Sequence, residues 1–354
     1  QLARIAPAMA DGLTKAAALA YETGTLAIAN QIASLRTARD LRLASARLGY
    51  DEKAERAALK TYVEQTEVFR RRVQALHDAS ARGGEDCSLL IAQFHHAVAV
   101  ADLARAEEAR ADEMTARIEA VKLADELWTA ARDDYSAGVI ELTTLLDVLR
   151  GWRDAKLSLG LIAGEDYSQE TMKRAIEESA RELEELRKRV EALREQGAKG
   201  GEDVNYYAVL AQQAGAIRIN AGGVMPLARR AVDLARKRLD ATRTAYETGT
   251  ATVFALYPCF DGIDAVQAWL EEVREKEGAE ASNTSEDERI DTIKQRLRIW
   301  RRIKALSDQG AKGGEAVDRR YAECQYVLAR LRQYAATRQQ EAQPEVNGVR
   351  TNRE

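Results

Sequence analysis

Aromatic residues make up only 6% of this 354-residue chain, while 45% is hydrophobic. So little ring volume does not fill a broad globular core; the apolar content rests on Ala, Leu, Val and Ile, which suit thin helices packed closely. Cysteine is scarce too. Cys87, Cys259 and Cys324 are odd in number and fall at unrelated places, which speaks against a disulfide framework or a zinc site and for free, partly buried thiols. Charge of one sign is not gathered anywhere: 53 Lys and Arg stand against 57 acidic residues, for a net charge of −4. A phosphate-binding stripe is therefore missing, and nucleic acid is not an expected partner. No apolar run approaches the ~20 residues of a membrane helix, and no series of ~10-residue alternating strands suggests a membrane barrel. A soluble chain without a membrane-spanning segment is expected.

Reacting groups are equally sparse. His77, His95 and His96 are the three histidines; adjacent residues on a helix point in different directions, so these read as surface or seam positions and no metal is expected. Asp133, Asp134 and the acids of Glu177–Glu195 are interleaved with Arg and Lys, as on the solvated flank of a coiled coil. Gly197-Ala-Lys-Gly-Gly-Glu202 lacks the spacing and preceding strand of a phosphate loop. Trp128, Trp152, Trp269 and Trp300 read as packing anchors. No catalytic residue, cofactor or metal is assigned, and enzymatic activity is not expected.

What the chain does contain is a threefold echo. Tyr-x-x-Gly recurs at Tyr21/Gly24, Tyr135/Gly138 and Tyr246/Gly249, in steps of 114 and 111 residues. Gly-Gly-Glu recurs at Gly83, Gly84, Glu85; Gly200, Gly201, Glu202; and Gly313, Gly314, Glu315, in steps of 117 and 113. The period of about 113 residues implies an all-α array of three repeats, framed as 1–114, 115–225 and 226–340, with a polar tail or linker at 341–354. Each frame divides into four antiparallel helices, at 1–20, 25–48, 53–80 and 86–112 in the first copy. About twelve helices would form an elongated or curved array of coiled-coil-like hairpins. The opening on a repeat edge without Met suggests a piece of a longer product.

The third segment carries the clearest seam. Ile176, Ser179, Leu183, Leu186, Val190, Leu193 and Gly197 alternate steps of three and four, and Leu59, Tyr62, Thr66, Phe69, Val73, Leu76 and Ser80 repeat that spacing 117 residues earlier. Such a narrow stripe favours side-by-side packing. In the third copy Ile303 and Leu306 keep phase, whereas Ile290, Ile293, Leu297 and Trp300 are shifted by one. Helix starts are expected at Asp51, at Ser168, and at Ser285 with Glu288 as a capping box. Pro258 should kink or split its helix.

If each connection reverses direction, all six glycine turns fall at one end. Glycine suits them because a tight reversal needs a positive φ, which a β-carbon penalises by about 1 kcal/mol or more. The Glu after Gly-Gly would meet the backbone N–H groups of the next helix, and Thr25 and Thr250 would cap similarly. These turns form a candidate rim for a protein partner or for self-association.

At Tyr135-Ser-Ala-Gly138, followed by Leu142 and Leu145-Leu146-Asp147-Val148-Leu149, the chain resembles the helical-hairpin tip of TolC-family outer-membrane efflux proteins. Tyr21-Glu-Thr-Gly-Thr25 and Tyr246-Glu-Thr-Gly-Thr250 share the turn without the Leu-Leu-Asp core. The resemblance covers about fifteen residues per copy; it implies a periplasmic helical module that contacts an adaptor. The membrane strands of that family are missing, and Gly-Gly-Glu turns alternate with its Tyr-x-x-Gly ones. The expectation is a structural or assembly protein of the bacterial cell envelope, extracytoplasmic in location. The alternatives are a TolC-like transport-associated adaptor or channel accessory, and a cytosolic helical scaffold.

Overall fold

The computed structural model describes residues 2–79, 86–163, 165–198, 200–221, 225–276, 283–309 and 316–341. Among them lie twelve helices and no strand. These are α1 Leu2–Glu22, α2 Ile28–Leu48, α3 Glu52–Asp78, α4 Asp86–Ala106, α5 Arg110–Ser136, α6 Leu142–Gly160, α7 Glu165–Glu195, α8 Asp203–Ala221, α9 Met225–Glu247, α10 Val253–Lys276, α11 Asn283–Asp308 and α12 Ala316–Glu341. The all-α expectation holds. Contacts gather them into two compact units, residues 1–62 with 291–354 and residues 63–290. The divisions fall inside α3 and α11, not at the edges of the three sequence frames.

In the first unit α12 packs on both α1 and α2. Ala6, Ala10, Leu13 and Ala17 give α1 one apolar stripe at helical spacing, and all four are buried. Small side chains let the neighbours approach closely, and polar bonds then set the register. Ser45 Oγ donates to the Ala3 carbonyl at 2.7 Å, Arg42 pairs with Asp11, and Gln325 Nε2 of α12 donates to Thr37 Oγ1 at 2.8 Å. Cys324 faces the Met9 carbonyl, and burial pushes its thiol up to about 12. It is inert at neutral pH. Cys87 and Cys259 are also buried, and both are thiols outside any disulfide.

In the second unit each helix from α4 to α10 packs on the next. Ala92, Ala99 and Ala101 of α4 are buried, and α4 packs on α5, whose Ala120, Ala124 and Ala131 are buried as well. Trp128 and Trp152 lie with ring centroids 6.3 Å apart, and Trp152 Nε1 donates to Asp125 at 2.7 Å. Trp269 packs in a cluster with Ala228, Ala231 and Val273. The anchoring role expected of these tryptophans is observed.

Several local expectations need correction. Cys87–Ala106 in α4 is 20 residues long with a hydropathy of 1.4, so by length and composition it could cross a membrane, contrary to the reading that no run approaches that length. Of its apolar window 44% is buried within the structure. The fourth segment ends at Ala106 instead of 112, and α5 begins at Arg110, ahead of the frame edge at 115. Ser168 and Ser285 lie inside α7 and α11, which start three and two residues earlier, so neither precedes its helix. Asp51 does cap α3: its Oδ1 accepts from Ala54 N at 2.9 Å. Pro258 does not split α10. It is the sixth residue of that helix, as Pro7 is of α1; so near the start a proline sacrifices a single backbone bond while the later turns continue.

Seam burial follows the pattern in part. Tyr62, Thr66, Phe69 and Val73 are buried, as are Ile176, Ser179, Leu183, Leu186 and Val190. Gly197 is not a seam residue, because α7 has already ended at Glu195. In α11 the buried positions are Thr292, Ile293, Arg296 and Ile303, so a charged side chain occupies the line where an apolar one was expected. Glu341, read as the first residue of a polar tail, is the last residue of α12, and 342–354 lie outside the described residues.

Candidate functional site: the glycine turns and the hairpin clasps

The three Tyr-x-x-Gly turns close α1, α5 and α9 in the same way. Gly24, Gly138 and Gly249 have φ of 71°, 75° and 79°, the left-handed conformation that the sequence requires of them. Each glycine N–H reaches back to the carbonyl of its tyrosine, at 3.0, 3.1 and 3.2 Å for Tyr21, Tyr135 and Tyr246. The next residue donates one position further back: Thr25 to Ala20 at 2.9 Å, Val139 to Asp134 at 2.8 Å, and Thr250 to Ala245 at 2.8 Å. This pair of bonds is the Schellman ending of a helix. The hydroxyls of Thr25 and Thr250 donate to the same Ala20 and Ala245 carbonyls, both at 3.0 Å. They therefore cap the helix behind them, which corrects the expectation that they cap the one ahead. The middle turn has an exposed Val139 at that position.

Two non-glycine residues do the same work. Tyr50 and Glu108, with φ of 51° and 57°, close α2 and α4 through the same bond pattern.

The Gly200-Gly201-Glu202 turn is built differently from its expected form. The helix α7 is closed by Gly197, with φ of 63° and bonds from Gly197 N to Arg194 O and from Ala198 N to Leu193 O. Gly200 is at φ 97°, but Gly201 is not in the left-handed region. Glycine is needed at 201 for another reason: a β-carbon there would fall on the backbone of Leu193 and Arg194, only 2.6 Å from Arg194 Cα. Glu202 caps backwards, accepting from Gly200 N at 2.9 Å and Asn205 Nδ2 at 3.0 Å. Arg194 ties the turn together, donating to Asp203 at 2.8 Å while its guanidinium lies 4.8 Å from the Tyr206 ring.

Arg189, six residues before the end of α7, lies 4.9 Å over the Tyr135 ring at the end of α5. Tyr246 and Gly249 belong to the second unit at the end of α9; Tyr21 and Gly24 belong to the first unit. Gly83, Gly84, Glu85, Gly313, Gly314 and Glu315 lie outside the described residues.

A second recurring constellation escaped the sequence reading. Glu67 of α3 receives Arg70 in a two-pronged bond, Nε to Oε2 at 2.7 Å and Nη2 to Oε1 at 2.9 Å, and Oε2 also meets His96 Nε2 of α4 at 3.3 Å. Glu184 of α7 receives Arg187 likewise, at 2.9 and 2.8 Å, and Oε2 meets Gln213 Nε2 of α8 at 3.0 Å. All three positions are displaced by 117 residues. A further step of 113 leads to Leu297, Trp300 and Tyr326; there Trp300 of α11 stacks on Tyr326 of α12, with centroids 6.1 Å apart and planes at 5°. Arg70 and Arg187 hold their carboxyls down to about 2. Each hairpin thus has a clasp at an equivalent place. The signal was present in the 117-residue offset of the third segment, which also pairs His96 with Gln213.

No metal-binding group of His, Cys, Asp and Glu is present among the described residues. No protein-family model matches the chain, and comparison with curated proteins yields no match.

Proposed function

We propose that this chain is a non-enzymatic structural or assembly protein of the bacterial cell envelope, built from helical hairpins that offer their glycine turns to a partner or to a second copy. The observation that carries this reading is the set of Schellman turns at Gly24, Gly138 and Gly249, alike in backbone and in bonding. Their backbone groups are spent on the helix end itself, so such turns form rigid surfaces that dock with little ordering cost. The ionisable groups of the hairpins are similarly engaged: Glu67 and Glu184 meet His96 and Gln213 of the following helix, while Arg70 and Arg187 bind them from within their own.

A transport-associated role of the TolC type is the second reading, favoured by one feature. In the turn that resembles the TolC-family tip, Val139 stands 67% exposed where Thr25 and Thr250 stand in the other two. An apolar tip of that kind suits a protein contact. Sedimentation of the purified chain and of Val139→Asp tests both. Association or partner capture that Val139→Asp weakens, at unchanged melting temperature, supports a docking tip. A strict monomer that captures no partner overturns the assembly reading. A secretion signal in the gene and recovery from the periplasm support the envelope placement; their absence leaves a cytosolic scaffold.

A further inference from the structure

Helix α12 meets α1 and α2 as α4 meets α5 and α6. Val317, Tyr321, Ala322, Cys324 and Ala329 are buried on α12, and 230 positions earlier α4 buries Cys87, Ile91, Ala92, Phe94 and Ala99. The receiving faces match too: Ala6, Ala10, Leu13 and Ala17 of α1 stand 114 positions before Ala120, Ala124, Leu127 and Ala131 of α5, and all are buried. Each covering helix also reaches the second helix of its pair at the same place. Gln325 donates to Thr37 Oγ1 of α2 at 2.8 Å, and Phe94 lies 3.1 Å from where a β-carbon on Gly151 of α6 would stand. Thr37 and Gly151 are themselves 114 positions apart.

The two joints differ in how they are held. Between α4 and α5 the chain passes through the short turn 107–109, whereas 288 positions separate Thr37 from Gln325. The α12 joint is also less completely filled. A groove of about 400 Å³ runs between α2 and α12, lined by Leu43, Ala44, Leu331, Ala335 and Ala336. Its flanking ion pair, Arg332 to Asp40, is 3.5 Å long with the arginine half exposed, whereas a buried Arg117 of α5 holds Asp102 of α4 at 2.8 Å. Atoms that line a gap forfeit contacts, so α12 is the more easily released of the two covering helices.

We propose that α12 is an exchange element: released from its own α1 and α2, it seats on those of a second copy and joins the two chains through the bonds now made within one. Every copy carries both the face and its complement, so the exchange needs no new surface. An element tied to its site only through the rest of the chain is held there by effective concentration, about 1 mM for short flexible tethers and less for longer spans. A second copy competes on those terms. The inference concerns a different surface from the glycine turns and does not depend on the assembly reading built on them.

Two variants of the full chain test it. Leu13→Asp puts a carboxylate into the α1 face, and Cys324→Asp puts one against the Met9 carbonyl, so neither chain closes its own joint. Mixed at about 0.1 mM, the intact α12 of the first seats on the intact α1 and α2 of the second. The expected result is a heterodimer by native mass spectrometry that neither variant forms alone, with exchange of α12 amides in Leu13→Asp slowed about tenfold by the complementing chain. Wild-type protection of the α5 to α10 amides shows that the variants are folded. Where a variant loses it, wild type carries the test: isotopically light and heavy chains refolded together from urea at the same concentration should give mixed dimers that survive dilution. Absence of both the heterodimer and the mixed dimers overturns the proposal, as does a dimer that either variant forms equally well alone. A heterodimer unaffected by Val139→Asp supports exchange apart from the turns. Wild-type association that Val139→Asp abolishes, while the complementing pair stays monomeric, keeps the turn reading and overturns this one.

Discussion

Gly201→Ala adds one methyl group at the point where the turn after α7 runs closest to the helix. That carbon would lie 2.6 Å from Arg194 Cα and nearer still to Arg194 N and Leu193 C, all backbone atoms that no rotamer change can move aside. Relief requires the turn to shift by about 1 Å, against the Arg194–Asp203 bond and the Glu202 cap that hold it. Overpacking of this kind costs about 1–3 kcal/mol, and rigid backbone on both sides places this site near the upper figure. For a unit of this size, the melting temperature should fall by roughly 6–12 °C. Val, with two further carbons, should cost at least as much. Gly262→Ala in α10 is the control: nothing lies within 4 Å of its added carbon, so helix propensity alone should stabilise the chain by about 0.5–1 kcal/mol. Urea titration followed by circular dichroism measures both. A Gly201→Ala protein as stable as the parent would refute the packing argument, whatever Gly262→Ala does.

Thr250→Val removes the hydroxyl bond to Ala245 and should cost about 0.5–1 kcal/mol in urea melts, whereas Val139→Thr should gain a similar amount by installing that bond in the middle turn. Trp300→Ala breaks the stack on Tyr326; it should destabilise by about 2–4 kcal/mol, with Trp300→Phe recovering part of the loss by the same assay. Glu67 is held down to about 2, against an ordinary 4.5, chiefly by the Arg70 bond. Its contribution is complete above pH 4.5 and disappears as pH falls toward 2, so Glu67→Gln should flatten acid-unfolding curves in that window.

The helices were legible because their apolar residues recur in steps of three and four, and the positive φ of Gly24, Gly138 and Gly249 was legible because no other residue adopts it as cheaply. Helix ends were less so. Ser168 and Ser285 have the chemistry of caps, yet serine is also tolerated within a first turn, and nothing local separates the two cases. Gly197 matched the seven-residue rhythm while serving as the stop. At Gly201 the requirement comes from Leu193 and Arg194, a crowding visible only once the turn is folded. The His96 clasp needs two helices at once, and the packing of α12 on α1 and α2 joins residues some 290 positions apart, which no periodicity records.

That last contact shapes the order in which the protein is made. The pair α1 and α2 leaves the ribosome well before α12, so Thr37 awaits Gln325 and Met9 awaits Cys324. At about 5–20 residues per second, roughly a quarter of a minute to a minute passes before α12 emerges. During that interval the apolar flank of the nascent pair stays open to solvent and to chaperones, while residues 63–290 can already consolidate. A stalled or shortened transcript lacking α12 would release a chain with α1 and α2 still uncovered.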